Sequence, residues 1–181
     1  MVYTKNYSAP PIDRREIMRY AGVRGDAPEI EALLQECLAE AEDKLTYKVC
    51  YATFHVSIFD SIKSEGLKNH LKGCREAVIF AATIGIGIDR LIARYSSISP
   101  TKALLFQAIG AERIEALCDE FNAELRGGRF SPGYGDLPLE FQKEIFKILD
   151  CPKRIGLTLN ESMLMSPSKS VTAIIGVKNE F

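Results

Sequence analysis

Patterns that usually mark catalytic or metal-binding proteins are scarce in this chain. Its only histidines are His55 and His70, and neither has a ligand-like partner nearby in the sequence. The five cysteines are scattered and form no CxxC pair, which argues against a disulfide framework, a zinc site or an iron–sulfur cluster. Walker A, HExxH, GxSxG, deaminase and cobalamin-type DxHxxG signatures are also missing. We therefore expect no metal site in this chain.

The chain also lacks a large net charge and long apolar runs. The net charge of −1 gives no global attraction to nucleic acid or to an acidic membrane. No run of 18 apolar residues exists, and residues 1–13 lack the apolar core of a signal peptide. We therefore expect a cytoplasmic protein that uses neither nucleic acid nor membrane as a partner.

Hydrophobic spacing predicts a mixture of helices and strands. Helices are predicted over residues 12–20, 27–45, 89–95, 100–125 and 139–149 (the last stopping near Pro152), with a short turn or helix over 62–71. Strands are predicted over residues 46–59, 77–84, 157–159 and 170–177. These elements do not alternate as regular βαβ units, so they favour an α+β fold.

The length of 181 residues suits one compact domain. Within that domain we distinguish two parts. Residues 1–70 form an N-terminal segment of helix and strand, interpreted as a candidate docking arm. Residues 71–181 form the core unit.

The loop RFSPGYGDLP at residues 129–138 is the most distinctive segment. Its prolines and glycines restrict the backbone to a defined shape between two helices. It carries a cation, Arg129, five residues before an aromatic ring, Tyr134. Loops of this kind often carry function, so we interpret it as a binding loop. The alternative is an ordinary turn with a solvated arginine.

Three acidic residues, Glu112, Glu115 and Asp119, share one face of the helix before this loop. If Glu115 lies near Arg129, the pair offers a guanidinium to a carboxylate and a carboxylate to an ammonium group. Tyr134 then covers a cationic or flat part of the same ligand. An amino-acid-bearing ligand such as S-adenosylmethionine has all three features. The alternative is a solvated helix face.

A glycine turn, GIG at residues 85–87, follows the predicted buried strand. It faintly resembles the cofactor loop of dinucleotide-binding proteins and methyltransferases. However, Arg90 occupies the position of the third glycine, and no acidic residue ends a second strand about 20 residues further on. A plain tight turn is the favoured interpretation.

Three segments in register resemble one known family. The loop RFSPGYGDLP is similar to RPAPGY-x-x-x-P, and the helix QAIGAERIEAL at residues 107–117 is similar to KALADRLAEAF. The segment LTLNESMLMSP at residues 157–167 is similar to LTES-x-x-M-x-P, and the following SVT resembles SVSG. These are motifs of the activation domain of cobalamin-dependent methionine synthase. Order and spacing agree over residues 100–177, and more loosely from Lys72.

The resemblance implies a twisted antiparallel sheet flanked by helices, an α+β fold. It implies a domain that binds S-adenosylmethionine and caps a cobalamin module whose cofactor has oxidised. A flavodoxin-like donor then supplies an electron, and S-adenosylmethionine remethylates the cobalt. Matching positions make Glu115 and Arg129 ligands of the methionine moiety, with Ser131, Gly133 and Tyr134 completing the site.

Departures from the family affect the expected function. The family's N-terminal acidic ligand has no evident counterpart in residues 1–70, and the chain ends at Phe181, before a tyrosine that contacts the ligand in the long form. We find no cobalamin, folate or homocysteine module, so the resemblance implies an accessory subunit without catalytic side chains. It acts on cobalamin carried by a separate methionine synthase core or another corrinoid protein.

Two alternatives stay open. The first is a non-catalytic module that docks on a corrinoid protein without binding S-adenosylmethionine. The second is an unrelated small-molecule methyltransferase that uses the turn at residues 85–87.

Overall fold

The computed structural model describes residues 1–178 and confirms the predicted α+β fold. The strands are β1 (Tyr3–Tyr7), β2 (Tyr47–His55), β3 (Glu76–Thr83), β4 (Arg129–Phe130), β5 (Thr158–Leu159), β6 (Met165–Ser166) and β7 (Ser170–Val177). The α-helices are α1 (Arg14–Tyr20), α2 (Pro28–Ala41), α3 (Glu65–His70), α4 (Gly87–Tyr95), α5 (Pro100–Leu125), α6 (Phe141–Leu149) and α7 (Cys151–Ile155). Short 3₁₀ helices cover Glu42–Lys44 and Val56–Phe59. Residues 179–181 of the predicted core unit lie outside the described residues.

Five strands form an antiparallel sheet in the order β1-β2-β3-β7-β4, and β5 pairs with β6 in a separate hairpin. The apolar run predicted as a buried strand is β3, at the centre of the sheet. All of β3 after its first residue is buried, because helices cover both faces of the sheet.

Alternate residues of β3 enter two separate cores, as the period of two in a strand requires. Val78 and Phe80 pack on the side that carries α1, α2, α4 and α5. Ala77, Ile79 and Ala81 pack on the side that carries α3, α6 and α7. The sheet is therefore the middle of three layers, and α5 lies across the first of its two faces.

The elements that the sequence did not predict are short or lie at an edge of the sheet. β1 is an edge strand without a fully buried residue, and β4 and β6 have two residues each, so hydrophobic spacing carries little signal there. The predicted end of the helix α6 at Leu149 is confirmed, but Pro152 does not stop it. The helix α6 ends at Leu149, Asp150 has a left-handed φ of 51°, and Pro152 occupies the first turn of α7. A proline is tolerated there because its missing N–H would have no helical partner.

Residues 1–70 contribute β1 and β2 to the sheet and place α1 and α2 on one face. Ile17 of α1 and Leu34 of α2 are fully buried in that core. The docking role predicted for this segment stays a prediction. Within residues 1–178, no helix combines the length and the apolar character needed to cross a membrane.

Candidate functional site

A tight turn after α5 brings Arg129 back against that helix. Arg126 has a left-handed φ of 53°, and Gly127 then lies directly on β7. A Cβ at Gly127 would come within 2.5 Å of Ile175 Cγ2 and 2.6 Å of the Gly176 carbonyl oxygen, so the turn has no room for a side chain. Arg129 then pairs with Ile175 at the edge of the sheet, on the strand β4.

The predicted pairing of Arg129 with Glu115 is present. Arg129 Nη2 donates to Glu115 Oε2 at 2.8 Å and lies 3.0 Å from Asp119 Oδ1, one helical turn further along α5. The arginine side chain is only 21% exposed, so it is not a solvated turn residue. Its Nη1 is buried and has no hydrogen-bond partner among the described residues. Burial raises the pKa of the neighbouring Cys118 thiol to about 12, which keeps the thiol protonated.

A cavity of about 700 Å³ lies between α5 and the N-terminal segment, and we name it the acidic cavity. Its lining residues are Ser8, Ala9, Pro10, Pro11, Asp13, Glu16, Tyr20, Glu112, Glu115, Ala116, Asp119 and Glu120. Six of them are carboxylates and none is a cation, although Arg19, Arg113 and Arg129, outside the lining, pair with four of the six. The excess of carboxylates at the wall favours a positively charged ligand. Of the predicted site residues, Glu115 lines this cavity, while Arg129, Ser131, Gly133 and Tyr134 lie outside its lining.

Glu112 differs from the solvated helix residue that the sequence suggested. It is 4% exposed and pairs at 2.5 Å with the buried Arg113. Arg113 also donates to the carbonyl oxygens of Pro10 and Pro11 at 2.6 Å, and Glu112 accepts from the Asp13 backbone N–H at 3.0 Å. Burial lowers the pKa of Arg113, but the ion pair with Glu112 raises it above its ordinary value. This network holds the wall of the acidic cavity against α5.

Asp13 and Glu16 also line the acidic cavity, and neither was predicted as a site residue from the sequence. The Asp13 side chain caps α1, accepting from the backbone N–H of Arg15 at 2.9 Å and of Glu16 at 3.1 Å. The pattern Asp-x-x-Glu ahead of an apolar run is a sequence signal for such a helix start. The structure therefore brings two acids of residues 1–70 to the cavity that Glu115 lines, although the sequence showed no evident counterpart of the family's N-terminal acidic ligand.

The remaining predicted residues lie on the exposed loop after β4. Gly133 has a φ of +83°, and its N–H donates to the Leu137 carbonyl oxygen at 2.9 Å. Tyr134 N–H donates to the Ser131 carbonyl oxygen at 3.1 Å. The Tyr134 ring meets Phe130 edge-on at 5.7 Å and stays 69% exposed. The loop thus has the defined shape that was predicted, while the ligand role of Ser131, Gly133 and Tyr134 stays a prediction.

Asp136 fastens this loop to the start of α3. Its Oδ1 accepts from Ser64 Oγ at 2.6 Å and from Gly66 N at 3.1 Å, and its Oδ2 accepts from Glu65 N at 2.6 Å. The hydrogen bond from Ser64, followed by those from the two backbone N–H groups, lowers the pKa of Asp136 below its ordinary value. One carboxylate therefore connects the loop to the layer of helices behind it.

We expect Asp136→Asn to lower the melting temperature at pH 7 and to have a smaller effect in acid. A carboxylate with a lowered folded pKa contributes stability above its unfolded pKa of about 3.9, and that stability is lost as the pH falls through the folded value. Thermal unfolding of both proteins between pH 7 and pH 3 measures the difference. Asp26→Asn, at an exposed position between α1 and α2, is the matched control. If the melting temperatures of the original protein and the Asp136→Asn variant differ by the same amount at every pH, the ionised Asp136 carboxylate does not stabilise the fold as described.

Comparison with known proteins finds a family model that matches the C-terminal part of the chain. Residues 112–180 match the family described as vitamin B12 dependent methionine synthase, activation domain. The chain resembles that activation domain, as its motifs predicted. It is 35% identical over 96 residues to methionine synthase of Mycobacterium tuberculosis and 32% identical over 96 residues to that of Mycobacterium leprae. Each match covers 51% of this chain but 8% of the relative, so the chain matches a small part of these long proteins.

The fold has a counterpart among solved structures. A crystal structure of the MetH reactivation domain bound to AdoHcy superposes with a TM-score of 0.75 at 17% sequence identity. The similarity covers 100% of this chain and 80% of the solved one. It therefore extends to the residues before 112, which the family match does not reach. At this identity the likeness establishes a shared arrangement of helices and antiparallel sheet.

Proposed function

We propose that this chain binds S-adenosylmethionine in the acidic cavity and presents its methyl group to cobalamin carried by a separate methionine synthase core or another corrinoid protein. The observation that supports this most is Glu115, held by Arg129 at the wall of a cavity with six carboxylates. S-adenosylmethionine carries a sulfonium and an ammonium group. Both positive charges match the sign of this cavity.

The Glu115–Arg129 pair offers a partner to both the ammonium and the carboxylate of an amino-acid group. Glu115 would accept from the ammonium group, as would other carboxylates of the cavity. Arg129 Nη1 is buried and has no hydrogen-bond partner among residues 1–178, so a ligand carboxylate that reached it would satisfy this donor. The exposed Tyr134, with Ser131 and Gly133, would cover the ligand from the loop that follows Arg129. In this proposal the methionine moiety lies at the wall of the acidic cavity that carries Glu115 and Asp119, next to Arg129.

The proposed contribution of this chain is orientation of the methyl donor. Cobalamin on the partner would supply the cobalt that takes the methyl group, after a flavodoxin-like protein has supplied an electron. By holding the sulfonium methyl in line with the cobalt, the chain would convert a bimolecular methyl transfer into an effectively unimolecular step. Such a role requires no acid, base or nucleophile from this chain, and we propose that the chain performs it in the cytoplasm.

The comparisons support an adenosyl ligand. The solved reactivation domain is bound to AdoHcy, which differs from S-adenosylmethionine by the absence of the sulfonium methyl group. The other cavity considered for a methyl donor, at the glycine turn 85–87, is lined by Lys44, Arg90 and Arg94 and by no acidic residue. A sulfonium would be repelled there, which favours the acidic cavity over the turn.

We expect calorimetric titration to show S-adenosylmethionine binding that Glu115→Gln weakens by about tenfold. The substitution keeps the shape of the side chain but removes the charge that accepts from the ammonium, a charge-assisted hydrogen bond. Glu76→Gln, at the exposed start of β3, removes the same charge elsewhere and should leave binding unchanged.

The titration also separates the proposal from its alternative. If S-adenosylmethionine does not bind even with the corrinoid partner present, and the two proteins still associate, the chain is a non-catalytic docking module. That outcome would overturn the proposed methyl-donor site.

A further inference from the structure

A second cavity, of about 520 Å³, is lined by cations and lies at the glycine turn formed by residues 85–87. Its lining residues are Lys44, Thr46, Gly85, Ile86, Gly87, Arg90, Leu91 and Arg94. We propose that this cavity, named here the basic cavity, binds a small phosphate monoester with an apolar or planar body, of the nucleoside monophosphate class. The proposal is independent of S-adenosylmethionine binding.

Close backbone contact creates the basic cavity. Gly85 has a φ of +82°, and a Cβ there would lie 2.4 Å from Thr46 Oγ1. A Cβ on Gly87 would lie 2.0 Å from the Lys44 carbonyl oxygen. The turn therefore lies directly on the segment before β2, which places Lys44 opposite the first turns of α4. These glycines are required by packing, and the resulting walls carry the cations.

Three cations face this space with weak or no partners. Arg90 and Arg94 lie one turn apart on the same face of α4. Arg90 is exposed and has no ion pair among residues 1–178. Lys44 pairs only with its exposed neighbour Asp43.

The contact of Arg94 with Glu40 is long, at 3.5 Å. Exposed ion pairs of this kind contribute little to stability, so the guanidinium group of Arg94 and the ammonium group of Lys44 remain available to an anion. Neither of the two acidic partners belongs to the cavity lining.

The shape and composition of the basic cavity indicate more than a bare anion. Its lining also includes two glycines, Leu91 and the 40% exposed Ile86, whose side chain offers an apolar surface to a flat or aliphatic group. Its cations include two arginines, whose planar guanidinium groups bind phosphate through paired hydrogen bonds. A ligand that joins an anionic group to an apolar body would match both the arginines and the apolar lining, whereas the cations would repel a sulfonium ligand.

Titration of the full chain with AMP and with adenosine at low ionic strength tests the proposal. We expect AMP to bind, adenosine to bind at least tenfold more weakly, and Arg90→Gln to weaken AMP binding by about tenfold. Added salt should reduce the affinity as it screens the charges. Arg75→Gln removes the same charge from an exposed position outside the cavity and should have no effect.

Further variants keep this test separate from the acidic cavity. Glu115→Gln should leave AMP binding unchanged, and Arg90→Gln should leave S-adenosylmethionine binding unchanged. The proposal is overturned if AMP does not bind. It is also overturned if Arg75→Gln and Arg90→Gln weaken AMP binding equally, because the attraction would then be a diffuse effect of net charge.

Discussion

Arg129→Ala is expected to weaken S-adenosylmethionine binding by roughly thirtyfold or more. In the proposed complex the ligand carboxylate would shield its pair with Arg129 from water, and truncating one member of such a pair costs about 2–5 kcal/mol. Each 1.4 kcal/mol corresponds to about a tenfold change in affinity. The substitution removes the donor proposed for the ligand carboxylate. It also leaves Glu115 and Asp119, one helical turn apart, without their shared cation. Isothermal titration calorimetry of the purified proteins measures the loss.

Two further variants separate binding geometry from charge. Arg129→Lys keeps the charge but not the planar fork, so its affinity should lie between those of the original protein and Arg129→Ala. Arg75→Ala, at an exposed position before β3, should bind normally. If Arg129→Ala binds S-adenosylmethionine as tightly as the unchanged chain, the site assigned to Glu115 and Arg129 is wrong.

Arg113→Ala is expected to have the largest effect on stability, about 3–5 kcal/mol in the free energy of unfolding. The arginine is 1% exposed, and its removal leaves the buried Glu112 carboxylate without a counter-charge. The carbonyl oxygens of Pro10 and Pro11 lose their donor as well. Urea unfolding followed by circular dichroism measures the change.

The same variant should also disturb the acidic cavity, since Arg113 holds the segment at residues 10–13 against α5. Lys5→Ala is a useful control because it breaks an exposed pair with Glu124 and should cost no more than about 1 kcal/mol. A double variant, Glu112→Leu with Arg113→Met, should be more stable than Arg113→Ala, because no isolated buried charge remains. Equal stability losses for Arg113→Ala and Lys5→Ala would show that the buried pair does not hold this segment.

The longest elements were predictable because their signal is local. The predicted bounds of α5 and β7 agree with Pro100–Leu125 and Ser170–Val177, where apolar spacing or β-branched composition extends over many residues. The Glu115–Arg129 pair was also predicted, from residues only 14 positions apart on a helix and the loop that follows it. Short sequence separation lets helix periodicity and loop chemistry indicate such a contact.

The N-terminal part of the acidic cavity was not predictable in this way. Asp13 reaches Glu112 across 99 residues, and Arg113 reaches Pro10 across 103. Such contacts depend on how α1 packs on α5 and on the sheet order that brings β1 to one edge and β4 to the other.

By itself the sequence determined the fold class, the central strand β3, the long helix α5 and the chemistry of the loop after it. The tertiary structure alone decided that Glu112 is buried rather than solvated. It also decided that acids from distant segments share one cavity while three cations share another. The physical reason is that periodicity records which face of an element is apolar. The environment of a charged side chain depends on which other elements pack against it.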